Sequence, residues 1–173
     1  MKKLRFFVFL LYLALSGCSD GRKNSRNPIA ETAVSTNGSP VIQNEDMTPG
    51  LKGIDADNNG IRDDIDRLIA SKYSATSIIK KVAEQHARAL QRSMEATNRD
   101  EAKTAGDEIF RAGDCAYNYL PHATEEDFKF QERMTTEIEA LTANTKERLI
   151  AYWNGEALSG GMVFRQNSNP NCD

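Results

Sequence analysis

The sequence predicts an all-α protein, a small antiparallel bundle of about three long helices. Apolar residues recur at spacings of three and four through three segments between residues 73 and 152, which is the period of a helix with one buried face. The connections between these segments are short, as they are between antiparallel neighbours in a bundle. No stretch alternates between apolar and polar residues over four or more positions, except a short candidate strand at residues 162–164.

The first two predicted helices have recognisable ends. The first begins at about residue 73, where Ser74 or Ser77 can cap it, and it carries one apolar stripe. That stripe consists of Ile78, Val82, His86, Leu90 and Met94. The second runs from Arg99 to Leu120 and stops at Pro121, because proline cannot continue the hydrogen bonding of a helix.

The third predicted helix begins at Thr124, which can cap it ahead of three acidic residues. It continues through Tyr152, and Gly155 is expected to close it in the left-handed conformation. Trp153 is the only tryptophan of the chain. We expect it to pack with Tyr152 in the core against the C-terminal tail, in preference to forming a sugar-binding platform.

Size and charge exclude several classes of protein. The chain has 173 residues, with 22 Lys and Arg against 25 Asp and Glu, a formal charge of −3. At about 100–200 residues per domain this is one domain and little else, which excludes a TIM barrel or a two-domain enzyme. The acidic balance argues against a nucleic-acid-binding protein, because binding phosphates requires a clustered basic surface.

The N-terminus, residues 1–17, has the pattern of a signal peptide. Three basic residues precede an apolar segment of about ten residues, which is too short to cross a bilayer core of about 30 Å as a helix. The segment ends in the small residues Ser16 and Gly17, followed at once by Cys18. This ending resembles the lipobox of bacterial lipoproteins. A weak transmembrane anchor with a chance cysteine is the alternative.

The resemblance implies that Cys18 becomes the lipid-bearing first residue of the mature protein, diacylated on sulfur and acylated on the new amine. Two or three acyl chains make an essentially permanent membrane anchor. Ser19 favours the outer membrane in the enterobacterial sorting pattern, and Asp20 keeps the inner membrane as the alternative. Removing residues 1–17 leaves 19 basic and 25 acidic residues, a formal charge of −6 on a domain expected to face the periplasm.

Residues 18–50 are predicted to be the lipidated cysteine and a flexible tether, and residues 51–173 the helical domain. The tether contains three prolines and no aromatic residue, so it cannot bury enough apolar surface to offset the entropy of ordering. As a flexible coil it would reach about 30 Å from the membrane.

One segment has the spacing of a calcium-binding loop. Calcium takes six to eight oxygen ligands, which a loop supplies from short side chains at alternate positions with a glycine at the sharp turn. Counted from Asp55, such side chains occupy positions 1, 3, 5, 9 and 12, Gly60 lies at position 6, and the backbone carbonyl of position 7 completes the set. The candidate metal ligands are therefore Asp55, Asp57, Asn59, Ile61, Asp63 and Asp66.

The loop resembles an EF-hand loop, and it resembles thrombospondin type 3 and dockerin loops more closely, because those accept Asp at position 12. The resemblance implies one calcium ion, bound with the affinity of extracellular modules, about 10⁻⁴–10⁻³ M. Pro49, Gly50 and Gly53 leave no room for an entering helix, so a calmodulin-like opening is not expected. The alternative is that residues 58–60 form only a turn, with Asp63 as the N-cap of the next helix.

Cys115 and Cys172 remain as a pair once Cys18 is lipidated. In an oxidising compartment we expect them to form a disulfide that pins the C-terminal tail to the bundle. The alternatives are a reactive thiol or a metal-binding pair, although two His in the whole chain make a poor zinc set.

The sequence carries no signature of a common hydrolase, because neither His lies in an H-E-x-x-H motif and no G-x-S-x-G occurs. We expect a non-enzymatic module that binds a periplasmic protein through an acidic helical face and is stabilised by one calcium ion. One alternative is an immunity or inhibitor lipoprotein that neutralises a periplasm-acting toxin or cell-wall hydrolase. A second is a small cell-wall hydrolase that uses a carboxylate pair.

Overall fold

A computed structural model describes residues 45–165 and residue 172. The predicted signal peptide, the lipidated Cys18 and residues 19–44 of the predicted tether lie outside the described residues. The described part contains five helices: α1 (Asp63–Lys72), α2 (Ser77–Glu95), α3 (Arg99–Tyr119), α4 (Glu125–Thr142) and α5 (Lys146–Ser159). It contains no strand, so the prediction of an all-α bundle is confirmed. None of these helices is both long enough and apolar enough to span a bilayer.

Helix α2 is the centre of the bundle, because it contacts each of the other four helices. Its inward face alternates large apolar side chains with alanines, which lets the neighbouring helices approach closely. The side chains of the core on α2 are Val82, Ala83, Ala87, Ala89, Leu90 and Met94. Helix α1 contacts α2, and α4 contacts both of them.

The first predicted helix corresponds to α2, and a separate short helix, α1, precedes it. Helix α1 ends at Lys72 and α2 begins at Ser77, with Thr76 as its N-cap in place of Ser74 or Ser77. The Thr76 hydroxyl accepts a hydrogen bond from the backbone N–H of Ile79. The break lets the buried ring of Tyr73 enter the core while its hydroxyl donates to Glu137, 2.8 Å away.

The third predicted helix is divided into α4 and α5. Its start at Thr124 is as predicted, with Asp127 completing a capping box. The helix stops at Thr142, and α5 begins after Thr145, whose hydroxyl accepts from the backbone N–H of Arg148. The prediction of one continuous helix was wrong because the apolar spacing carries over the break.

Gly155 does not close a helix, as the sequence suggested, but lies buried inside α5. A Cβ atom at this position would lie 2.3 Å from the backbone carbonyl oxygen of Ser93 on α2. The glycine is therefore explained by the close approach of two helix backbones and not by a left-handed turn.

The described part of the C-terminal tail lies along α3. The ring of Phe164 stacks on Phe110 with 5.1 Å between centroids, and it covers Gly106, where a Cβ atom would lie 2.0 Å from it. The structure pairs Cys115 with Cys172, as predicted, with 5.4 Å between their Cα atoms. Residues 162–164, the candidate strand, have no strand partner in the described part of the chain.

Candidate metal site

The loop before α1 is folded around the carboxylate of Asp55. Its two oxygens accept hydrogen bonds from the backbone N–H groups of Asn59 at 3.1 Å and Gly60 at 3.0 Å. Asn58 and Gly60 both have positive φ, 57° and 83°, which turns the chain sharply between them. The first and sixth positions of the predicted calcium loop are therefore in contact.

The side chain of Asn59 joins two further carboxylates. Its amide nitrogen donates to Asp57 at 3.1 Å and to Asp66, seven residues along, at 2.9 Å. Its amide oxygen accepts from the backbone N–H of Ile61 at 2.7 Å. Three predicted metal ligands, Asp57, Asn59 and Asp66, are therefore in contact through hydrogen bonds. The partly positive N–H₂ group of Asn59 lies between the two carboxylates.

The remaining two predicted ligands, Asp63 and Ile61, do not contact the N–H₂ group of Asn59. Asp63 closes the base of the loop, because its carboxylate accepts from the N–H of Ala56 at 2.9 Å and its own N–H donates to the carbonyl of Ile54 at 2.8 Å. Ile61 is buried, and its side chain lies in the core. Asp63 is the first residue of α1 and not its N-cap, which is Arg62.

Negative charge accumulates around Asp66. Burial and the carboxylates of Asp57, Glu84 and Asp55 raise the pKa of Asp66, while the hydrogen bond from Asn59 lowers it. Glu84 belongs to α2 and is paired with Lys80 at 2.8 Å. Its place beside the loop could not be found from the spacing of the loop, because a separate helix brings it there.

No three His, Cys, Asp or Glu side chains among residues 45–165 and 172 are arranged as a ready-made metal site. The carboxylates of the loop do not meet because the Asn59 amide lies between Asp57 and Asp66. The Asp63 carboxylate instead accepts a hydrogen bond from the N–H of Ala56. The donor set nevertheless fits a hard cation, since carboxylate and amide oxygens are the ligands that calcium takes. A cation at this point would replace the amide N–H₂ group as the positive partner of the two carboxylates.

A buried charge cluster, formed by Asp46, Arg62, Asp64 and Arg148, fixes the loop to the bundle. Arg62 lies at position 8 of the loop, and its guanidinium binds Asp64 through two hydrogen bonds of 2.6 and 3.0 Å. The same group donates to the carbonyl oxygens of Leu141 at 2.6 Å and Thr142 at 3.4 Å. Arg62 therefore satisfies carbonyls at the C-terminal end of α4 that have no partner within the helix.

The segment before the loop is held by the same cluster. The N–H of Asp46 donates to Asp64 at 2.8 Å, and the Asp46 carboxylate accepts from Ile54 N–H at 2.7 Å. Arg148 donates to the carbonyl of Asp46 and, at 3.2 Å, to that of Thr48. Residues 45–50, predicted to belong to the tether, thus lie against the bundle, because buried arginines bind their backbone.

Asp46 is charged under all ordinary conditions. Burial raises the pKa of its carboxyl, but hydrogen bonds from Thr48 and Ile54 and the charge of Arg148 outweigh this effect and lower the pKa to about 2. Gly53 makes the close packing possible, since a Cβ atom there would lie 2.2 Å from the Arg62 side chain and 2.3 Å from the Asp46 carboxylate.

A second surface lies on the outer face of α5. Trp153 is 67% exposed, against the prediction that it packs in the core, and Ile150 and Leu149 beside it are 51% and 45% exposed. Tyr152 does pack against the core, and its hydroxyl donates to Glu139. Apolar residues occupy both faces of α5, so their spacing does not indicate which face of the helix is buried.

Comparison of the chain with protein-family models, with curated proteins and with solved structures found no match.

Proposed function

We propose that this chain is a lipid-anchored, periplasm-facing lipoprotein whose helical domain binds another protein and carries no catalytic activity. The lipobox-like ending at Cys18 supports the anchor, and Ser19 favours the outer membrane over the inner membrane. The observation that carries the binding role is the exposed apolar face of α5, centred on Trp153.

The binding face is defined as Leu149, Ile150 and Trp153, three large apolar side chains that are all exposed on one helix. These residues lie three and four apart, so they form one stripe on the helix. Tryptophan is the side chain most often found among the few residues that carry the energy of an interface. An exposed aromatic and aliphatic stripe of this kind matches the apolar centre of a protein-binding site.

The partner is expected to be a cationic protein. The chain beyond Gly17 has a formal charge of −6, and the first turn of α4 carries Glu125, Glu126 and Asp127 with Lys129 as the cation paired with the two glutamates. Complementary charge accelerates association and selects among partners. A toxin or a cell-wall hydrolase of basic character matches these properties, which makes an immunity or inhibitor lipoprotein the second candidate.

One calcium ion is proposed to stabilise the loop that leads into α1. The residues that would hold it are Asp55, Asp57, Asn59, the backbone carbonyl of Ile61, Asp63 and Asp66. The ion would supply positive charge that lets these carboxylates lie close together. Because Arg62 of the same loop belongs to the buried charge cluster, fixing the loop also stabilises the attachment of segment 45–54 to the bundle.

The binding role is tested by photo-crosslinking in the native cells, followed by affinity measurement. A photoreactive amino acid at position 153 is expected to crosslink one cationic periplasmic protein, which is then identified and purified. Trp153→Ala is expected to weaken binding to that purified protein by more than about 2 kcal/mol, or at least 30-fold. The variant is expected to unfold at nearly the same temperature, because exposed side chains contribute little to stability.

Phe128→Ala is the matched control, since Phe128 is an aromatic residue of α4 that is 55% exposed. It is expected to leave the affinity unchanged. In the same cells, Cys18→Ala is expected to move the protein from the membrane fraction to the soluble fraction. Equal effects of the two aromatic substitutions would contradict the binding face, and membrane retention of the Cys18 variant would contradict the lipid anchor.

A further inference from the structure

His86 places a titratable ring on the core-facing side of α2. Val82 and Leu90, one turn before it and one turn after it, are buried in the core. The Nε2 atom of the ring is enclosed and has no hydrogen-bond partner in the described part of the chain. A buried polar atom without a partner is rare in folded proteins, so this position calls for an explanation beyond packing.

The groups that face the ring come from α4 and α5. Glu139 of α4 is the charged side chain that acts on the ring, and the hydroxyl of Tyr152 on α5 donates a hydrogen bond to the Glu139 carboxylate. Glu156 of α5 acts on the Tyr152 hydroxyl. As far as the structure describes the chain, α1 and α3 place no charged group where it acts on the ring. The counter-charge of His86 is therefore already engaged by another helix.

Protonation changes what the enclosed nitrogen requires. A neutral imidazole can carry its proton on Nδ1, which leaves Nε2 as an unfilled acceptor. A protonated imidazole has an N–H donor at both nitrogens, so a donor and a positive charge would be enclosed without an acceptor. Burial accordingly lowers the pKa of His86 below its ordinary value of 6.5, and the charge of Glu139 opposes this effect only in part.

We infer that His86 is an acid-sensitive switch that controls how firmly α5 is held to α4. When the ring takes up one proton from solvent, Nε2–H needs an acceptor, and the Glu139 carboxylate supplies it. The imidazolium then competes with the Tyr152 hydroxyl for that carboxylate. Because Tyr152 belongs to α5, its release loosens the helix that carries the binding face. This loosening needs neither a partner nor calcium, and only its effect on binding rests on the proposed function.

The melting temperature of the full chain, in neutral detergent with EDTA, is expected to fall in acid. The unfolded chain takes up the proton near pH 6.5 and the folded chain resists it, so stability is complete above this pH and is lost below it. Between about pH 7.5 and 5.5 the native chain is expected to lose several degrees more than His86→Leu. His86→Gln is the second non-titrating variant if the first does not fold.

The other histidine of the chain provides the matched control. His122 lies in the loop before α4, where it is exposed and stacks on Tyr117. His122→Leu removes one titratable ring from the surface and is expected to keep the acid-induced loss of the native chain. Equal losses for the native chain and His86→Leu would overturn the inference.

Two substitutions on the facing helices are expected to act in opposite directions. Tyr152→Phe removes the hydroxyl that competes for Glu139, so the acid-induced loss is expected to be smaller than in the native chain. Glu139→Gln removes the charged acceptor of the imidazolium, so the loss is expected to be larger. Circular dichroism at about pH 7.5 confirms that each variant is folded before acid is added. A change of the same sign in both variants would contradict the competition for Glu139.

Hydrogen exchange measured by mass spectrometry tests the loosening of α5 itself. Native chain and His86→Leu are compared at the same pH, about 5.5, because the intrinsic exchange rate depends on pH. The peptides of α5 are expected to exchange several-fold faster in the native chain, and those of α3 at equal rates in the two proteins. Faster exchange spread evenly over all helices would show general destabilisation and would overturn the switch.

Discussion

Arg62→Ala is expected to lower the free energy of unfolding by about 3–5 kcal/mol, the usual effect of removing one partner of a buried ion pair. Arg62 has no exposed side-chain surface, and neither has Asp64, to which it donates two hydrogen bonds. The substitution leaves the Asp64 carboxylate buried without its counter-charge. It also leaves the carbonyls of Leu141 and Thr142 at the end of α4 without a donor. Urea denaturation followed by far-UV circular dichroism measures the change.

Two further variants distinguish a buried charge pair from simple loss of packing. Arg62→Met with Asp64→Asn removes both charges, nearly keeps the side-chain volumes and leaves an acceptor for the Asp46 N–H, and we expect it to recover part of the lost stability. Lys129→Ala removes an exposed partner of Glu125 on α4, and we expect a change of no more than about 1 kcal/mol. A loss below about 1 kcal/mol for Arg62→Ala would show that the buried charge cluster does not stabilise the fold.

Breaking the pairing of Cys115 with Cys172 is expected to have the second largest effect. The two residues are 57 positions apart, and closing a loop of that length raises the free energy of the unfolded chain by about 4 kcal/mol in the chain-entropy model. Cys172→Ser is the cleaner variant, since Cys115 is fully buried in the core and a serine there would also bury a hydroxyl group. The melting temperature is expected to fall by about 10 °C.

Chemical reduction provides the control for this measurement. The contacts of Phe164 with Phe110 and Gly106 are not covalent, so a reductant does not break them. We expect reduction of the native protein to lower its melting temperature to that of Cys172→Ser, and reduction of the variant to change nothing. A native protein whose melting temperature is insensitive to reductant would show that the pairing does not stabilise the domain.

The sequence predicts the class, both ends of α3 and the start of α4, because these depend on local chemistry. Thr124 with Asp127, and Pro121 after α3, are signals contained within a few residues. The break between α4 and α5 was missed although Thr145 is a capping residue, because the apolar spacing continues across it. The role of Gly155 is not visible in the sequence, because the backbone of Ser93 that requires a glycine there belongs to another helix.

The buried charge cluster could not be predicted from sequence. Arg62 and Arg148 lie 86 positions apart in the sequence, and only the fold brings them to Asp46 and Asp64. Within the loop, by contrast, the spacing correctly identifies Asp55, Asp57, Asn59 and Asp66 as neighbours, because a turn of 12 residues is a local structure. Whether a cation binds there depends on affinity, which spacing does not determine.

Calcium binding is the claim that connects the loop to the stability of the whole domain, and thermal unfolding tests it directly. Residues 40–173, which retain Asp46 and its contacts, are melted in EDTA and in about 2 mM calcium, within the affinity range of extracellular modules. At a calcium concentration ten times the dissociation constant, the expected gain is about 1.4 kcal/mol, or several degrees. Asp57→Ala is expected to abolish the shift, and Glu132→Ala, which removes an exposed acid from α4, is expected to preserve it. Identical melts in EDTA and calcium would contradict the calcium site and leave residues 55–66 as a turn that leads into α1.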